Sequence, residues 1–388
     1  MTVTDHHRLT DLLDSSDEAA PVHFGPNWFA AVMGTGIVPT AAVLLPYDVP
    51  GLHQAADVVW ILAAALLGVL TVATIVHWLR SPRHARRYGH DVTMAQFYGA
   101  PPMAFMTVGA GAIVVASNMI GLRAAVDLDW VLWTIGTVMG LLTVTMIPYR
   151  LFTSMEVRPD GAFGGWLMPI VPPMVSASTG ALLLAHVASA SLRATMFYSL
   201  FALFGMSLVV ALVVITLIWS RLAHYGSSMS GRVPTLWIVL GPIGQSITAA
   251  GLLGANAALA VPAPIAHAFA LFSILYGVPM WGFAVLWATL ALAITLRTAR
   301  AHLPFSLTWW SFTFPVGVTV TGTIRLAAET GLTAFKVASA VGLIALVGAW
   351  ATVAVRTARS AHRRALLAPP AGGPAVALKA PRTAAAGA

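Results

Sequence analysis

The chain has 388 residues, of which 58% are hydrophobic and only 9% charged, with a formal net charge of +8. A soluble domain carries about 25% charged residues, so a water-facing surface of ordinary make-up is excluded and the solvent must be lipid. Cysteine is absent, which excludes disulfides, thiolate metal sites, iron–sulfur clusters and cysteine nucleophiles.

Residues 1–25 set Arg8 against Asp5, Asp11, Asp14, Asp17 and Glu18, the wrong sign for the n-region of a signal peptide. They read as a polar cytosolic tail, in which His6 and His7 are a solvated pair. Residues 26–357 read as one membrane transport domain. A helix needs about 20 apolar residues to cross the hydrocarbon layer. Ten such runs follow in order, at 27–45, 56–79, 97–120, 130–152, 165–187, 194–219, 234–255, 266–296, 308–327 and 333–355. The eighth is long enough to include a surface segment. Residues 358–388, rich in alanine and proline and carrying Arg363, Arg364, Lys379 and Arg382, read as a disordered basic tail.

Threading the charges through these ten spans places 17 of the 21 Lys and Arg on the side shared by both termini. The other side holds four, Arg123, Arg193, Arg325 and Lys336. By the positive-inside rule both termini are cytoplasmic and the chain is a multi-pass protein of the cell membrane. The basic excess sets orientation, so no nucleic-acid partner is expected.

Proline recurs inside the odd-numbered spans beside small residues, at Pro39, Pro102, Pro172, Pro242 and Pro315, with successive separations of 63, 70, 70 and 73 residues. This repeat predicts an all-α fold of five helical hairpins, each pairing a broken inner helix with a smoother outer one. Proline removes a backbone donor, and such breaks are tolerated at membrane depth only where the freed groups are buried or line a wet cavity. Five broken helices would therefore surround a central pore. The alternative is that proline and glycine are simply commoner in membrane helices.

No Asp or Glu falls deep in any predicted span, since the acids lie in tails, loops or helix ends such as Asp57 and Glu329. Proton pumps and cation carriers rely on intramembrane carboxylates, so their absence favours an anion. The odd spans carry neutral polar groups instead: Asn27, Thr35 and Thr40; Thr107; Ser176, Ser178 and Thr179; Gln245, Ser246 and Thr248; Thr319, Thr321 and Thr323. Asn27, Thr35, Thr107, Ser176, Gln245 and Thr319 are taken as pore-lining candidates, because neutral donors hold an anion without trapping it. Each hydroxyl has the alternative of bonding back to its own helix. Arg325, near the outer end of the ninth span, either draws anions into the vestibule or is held by Glu329 four residues on. No Walker loop, zinc-protease or hydrolase motif is present, so neither an enzyme nor a cofactor or metal site is expected.

Four stretches then carry a family resemblance: FGPNWFAAVMGTGIV at 24–38, WLMPIVPP at 166–173, LGPIGQ at 240–245 and WWSFTFPVG at 309–317. They resemble the tellurite-resistance/dicarboxylate transporter family, which includes plant slow anion channels, bacterial tellurite-resistance anion channels, fungal malate permeases and fungal sulfite efflux pumps. The wording is most similar to the malate and sulfite branch. The resemblance covers about residues 24–355 and implies ten helices in a pseudo-five-fold ring around one pore per subunit, in a homotrimer. It also implies a phenylalanine gate in the ninth helix, at Phe314 beside Pro315, with Phe312 as the second candidate.

The expected function is transport of a small anion, sulfite or a C4-dicarboxylate such as malate, through that gated pore. The alternatives are a halide- or nitrate-conducting channel and a non-conducting membrane scaffold or sensor.

Overall fold

The computed structural model describes residues 24–227 and 230–363. Within them the chain is helical. Ten main helices are α1 (Phe29–Val43), α2 (Leu52–Arg80), α3 (Ala100–Val114), α4 (Leu122–Thr153), α5 (Pro172–Leu183), α6 (Ala190–Tyr225), α7 (Leu240–Asn256), α8 (Ala263–Ala301), α9 (Phe314–Thr330) and α10 (Thr333–His362). Each corresponds in order to one predicted span. The two tails expected from the sequence lie, as far as residue 23 and from residue 364, outside the described residues, and α10 runs on to His362, past the expected domain end at 357.

Two kinds of helix alternate. The even helices are long and lipid-like on their outer faces, with Val58, Leu79, Phe152, Leu275 and Ile344 exposed. Apolar surface on this scale would drive association in water, and it is what a hydrocarbon solvent requires. The odd helices are short and buried nearly all round: 13 of the 15 residues of α1 are buried, whereas six of the 32 residues of α4 are. A helix buried on every side shows no amphipathic stripe. Odd helices are therefore recognised by small residues and proline, and even helices by unbroken hydropathy.

Among the described residues, seven helices are long and apolar enough to cross a membrane. The difference from the ten predicted spans lies in α1, α5 and α9, which have 15, 12 and 17 residues of regular α-helix. α3 and α7 reach membrane length together with the 3-10 turns that adjoin them, over Met94–Val114 and Ser230–Leu259. All five odd helices are prefaced by tighter 3-10 turns: Pro26–Trp28, Met94–Gly99, Gly164–Leu167, Ser230–Val239 and Leu307–Phe312. A 3-10 turn rises faster per residue than an α-turn, so each odd segment covers more depth than its α-helical length suggests.

The prolines sit at these junctions. Pro102, Pro172 and Pro315 lie in the first turns of α3, α5 and α9, and Pro242 is the third residue of α7. There the missing N–H would have had no intrahelical acceptor in any case, so these residues start the α-helix rather than break it. Pro39 differs: α1 passes through it from Phe29 to Val43 without a break.

Packing follows a regular order. α1 packs on α3, α3 on α5, α5 on α7, α7 on α9, and α9 returns to α1. Each even helix lies against the odd helix before it and the one after, with α10 bridging α9 and α1. Hydrogen bonds tie the two layers: Trp60 Nε1 of α2 donates to the Val108 carbonyl at 3.1 Å, and Trp287 Nε1 of α8 to the Leu236 carbonyl at 2.9 Å.

One acid is placed differently from expectation. Asp129 is not at a helix end, because α4 begins at Leu122 rather than near 130. Its side chain is fully buried and neither carboxylate oxygen has a hydrogen-bond partner. It is packed against Gly109 of α3, where an added Cβ would lie 2.5 Å from Oδ1. An acid inside the membrane domain therefore exists, behind α3.

Candidate functional site

A cavity of about 90 Å³ lies where the five odd helices meet. α1 contributes Ile37, Thr40 and Leu44; α3 contributes Thr107, Ala110 and Val114; α5 contributes Val175, Ser178, Thr179 and Leu182. α7 adds Gln245, Thr248 and Leu252, and α9 adds Phe314, Thr321 and Arg325. The spacings within each helix are mostly three and four residues, the signature of a single helical face. By the scale of one probe sphere per water, roughly 10–15 Å³ each, the space suits a few small molecules.

Chain order sorts the lining into tiers. The last residues contributed by α1, α3, α5 and α7 are Leu44, Val114, Leu182 and Leu252, and the corresponding residue of α9 is Arg325. A single guanidinium thus shares one end with four aliphatic side chains. Thr40, Ser178, Thr179, Thr248 and Thr321 make a hydroxyl tier below it. Phe314 closes the opposite end of the α9 face, 2% exposed. Eleven residues at 1.5 Å each separate it from Arg325 by about 16 Å along the helix.

The hydroxyl protons are already used. Thr40 donates to Gly36 O (3.3 Å), Thr107 to Met103 O (2.7 Å), Ser178 and Thr179 to Val175 O (2.9 and 2.8 Å), and Thr321 to Val318 O (3.1 Å). Thr248 shares a 2.9 Å bond with Thr321 across α7 and α9. Back-bonding, the alternative weighed for each hydroxyl, is what the structure contains. N–H donors are therefore the remaining source of positive potential at the cavity. Gln245 gives one amide proton to Ser178 Oγ and has a second in hand. Arg325 has no ion pair: among the described residues the only one within 4 Å is Arg158–Asp160. Glu329 Oε2 instead accepts from Ser273 Oγ of α8 at 3.0 Å.

Of the residues proposed from sequence, Thr107, Gln245, Arg325 and Phe314 line the cavity, and the others face elsewhere. Thr35 is 1% exposed and accepts a hydrogen bond from Trp350 Nε1 of α10 at 3.2 Å. Ser176 points at α4, with its Oγ 2.6 Å from Thr137 Oγ1 and its carbonyl accepting from Trp133 Nε1. Thr319 donates to Pro315 O at 2.9 Å and faces α7. Asn27 lies in the Pro26–Trp28 turn, outside the cavity lining, with its Oδ1 buried and unpartnered. Phe312 belongs to an edge-to-face cluster, its ring 5.7 Å from Trp237 and 5.6 Å from Trp309. The lining residues that the sequence did not single out are mostly aliphatic, and spacing by about one or two helical turns from Thr107 and Gln245 marks Ala110, Val114 and Leu252 among them.

This is a multi-span helical membrane protein, and no carboxylate is among the groups lining its central cavity. Residues 23–358 match the family model described as SLAC1, voltage-dependent anion channel, and the chain belongs to that family of anion channels and transporters. It is 27% identical to a sulfite efflux pump SSU1 of Arthroderma otae over 87% of this chain and 90% of that one. It is 28% identical to an uncharacterized transporter of Methanocaldococcus jannaschii over 77% of this chain and 82% of that one. A malic acid transport protein of Schizosaccharomyces pombe is 23% identical over 79% of this chain and 73% of its own length. The chain accordingly transports anions across a membrane.

Proposed function

We propose that the anion passes between the five odd helices, through the cavity bounded by Arg325 and Phe314, and that the cargo is sulfite or a C4-dicarboxylate such as malate. The observation that carries the path is one cavity lined from all five odd helices, with an unpaired guanidinium at one end and a buried phenylalanine at the other. The cyclic packing order of the odd helices, with even helices outside them, supports ten helices as five hairpins in pseudo-five-fold arrangement. The names of the relatives support the cargo. Location in the cell membrane with both termini cytoplasmic rests on the asymmetry of 17 bases against four, and assembly as a homotrimer rests on family resemblance.

Arg325 raises the local anion concentration, the anion exchanges part of its water for the free Gln245 amide proton, and Phe314 turns aside to let it pass. Conduction needs binding weak enough to release the ion, and a single guanidinium in the lining supplies one attracting charge rather than a cluster. An inside-negative potential favours anion efflux by roughly 2.3 kcal/mol per charge per 100 mV. Dicarboxylate uptake would need compensating protons. The test is radiolabelled flux into proteoliposomes of sulfite, malate, nitrate and chloride, with and without a pH gradient. Flux of sulfite or malate above the other two is expected. Flux of nitrate or chloride alone would replace the cargo, and flux of none would make the protein a scaffold.

A further inference from the structure

A second, larger cleft of about 480 Å³ lies at the arginine-rich end of the molecule, on the outside of the bundle. Its polar side is built from Arg86 and His90 of the segment following α2, Tyr98 of the turn before α3, and Arg150 of the last turn of α4. Its apolar side is Trp78 of α2 with Leu142 and Met146 of α4, all exposed on lipid-facing helices. Arg150 is drawn tightly in: Nη2 lies 3.3 Å from His90 Nε2, and a Cβ on Gly89 would come 2.7 Å from Nη1. Neither Arg86 nor Arg150 has a carboxylate within 4 Å among the described residues. The nearest acid in sequence, Asp91, accepts the Thr93 and Met94 amides at 2.9 and 2.6 Å, so it caps the next turn.

Two guanidiniums without a carboxylate partner, one of them against a histidine, beside a wall of tryptophan, leucine and methionine make an amphipathic cleft. A free phosphate would use only the basic half. A phospholipid uses both, its phosphate on the arginines and its first methylenes on the apolar wall. We propose that this cleft binds the headgroup of an anionic phospholipid in the leaflet facing the arginine-rich side. Basic pockets between membrane helices on that side are suited to such headgroups. Of the four arginines at 80–87, Arg86 of the short helix Pro82–Tyr88 is the one that lines the cleft.

The test uses the full chain purified in a mild detergent, with native mass spectrometry and thermal melting as readouts. The probes are dioleoylphosphatidylglycerol, dioleoylphosphatidylcholine and inorganic phosphate. Phosphatidylglycerol adducts and a raised melting temperature are expected, with no comparable effect from phosphatidylcholine. R86Q, an exposed change, should weaken phosphatidylglycerol binding about five-fold, and R86Q with R150Q more than ten-fold, since each basic residue near a charged surface contributes about 1 kcal/mol. Stabilisation by inorganic phosphate equal to that by phosphatidylglycerol would assign the site to a free anion and overturn the lipid proposal. Unchanged phosphatidylglycerol affinity in R86Q, which keeps the test open should the double variant not fold, would overturn it as well.

Discussion

Arg325 and Glu329 stand one turn apart on α9 and are not paired: the carboxylate accepts a hydrogen bond from Ser273 at 3.0 Å, and the guanidinium faces the cavity. The Ser273 bond holds one oxygen of the Glu329 carboxylate on α8, with the two charges beyond ion-pair distance of each other. Arg325→Gln should lower anion flux roughly ten-fold at low ionic strength, since a charge that concentrates substrate acts through a long-range field. The loss should shrink as salt is raised, because the screening length falls to about 8 Å at 0.15 M. Ser273→Ala frees Glu329 and should lower flux in the same direction. Liposome flux measured across a salt series checks both.

Phe314 and Phe312 are two residues apart but in different surroundings. Phe314→Ala opens the end of the cavity and should increase flux several-fold. Phe312→Ala removes the edge-to-face partner of Trp237 and Trp309, pairs worth about 0.5–1.5 kcal/mol each, and should lower thermal stability with little gain in flux. Side-by-side flux and melting measurements separate the two roles.

Thr35 and Ser176 serve the junction between inner and outer helices. Thr35→Val removes the acceptor for Trp350, and Ser176→Ala the partner of Thr137. Each should cost about 1 kcal/mol of stability and leave the flux of the folded protein unchanged. A fall in flux at constant melting temperature would place them in the path instead.

Gly109 and Asp129 are in van der Waals opposition across α3 and α4. Gly109→Ala should destabilise by about 1–3 kcal/mol through overpacking. Asp129→Ala relieves the clash and removes a buried carboxylate with no partner, so the double variant should melt above Gly109→Ala alone. Independent, additive effects in a double-mutant cycle would contradict the contact.

The ten helices were readable because lipid removes the ambiguity that water creates: hydropathy marks α2, α4, α6, α8 and α10, and the proline repeat marks the odd helices between them. Helix depth was harder to read. Proline at Pro102, Pro172 and Pro315 looks like a break from sequence, yet it starts an α-helix after a 3-10 turn, a distinction set by which N–H groups already lack partners. Site residues were legible where a polar group cannot be satisfied by its own helix, as with Gln245 and Arg325. Hydroxyls on fully buried helices carry no facing signal, so Thr35 and Ser176 were indistinguishable from Thr40 and Ser178 until the neighbouring helices were in place. Asp129 was misplaced for a related reason, since α4 extends eight residues before the apolar run that announces it.

The central claim is that anions cross through the cavity between the odd helices. The chain has no cysteine, so single cysteines can be introduced without a background. Leu252→Cys, in the tier of Arg325, and Thr35→Cys, on the far side of α1, should be treated with a small anionic methanethiosulfonate while sulfite and malate flux is followed in proteoliposomes. Loss of most of the flux at Leu252→Cys with none at Thr35→Cys is the predicted result. Full flux in a Leu252→Cys protein shown by mass spectrometry to be labelled would contradict it.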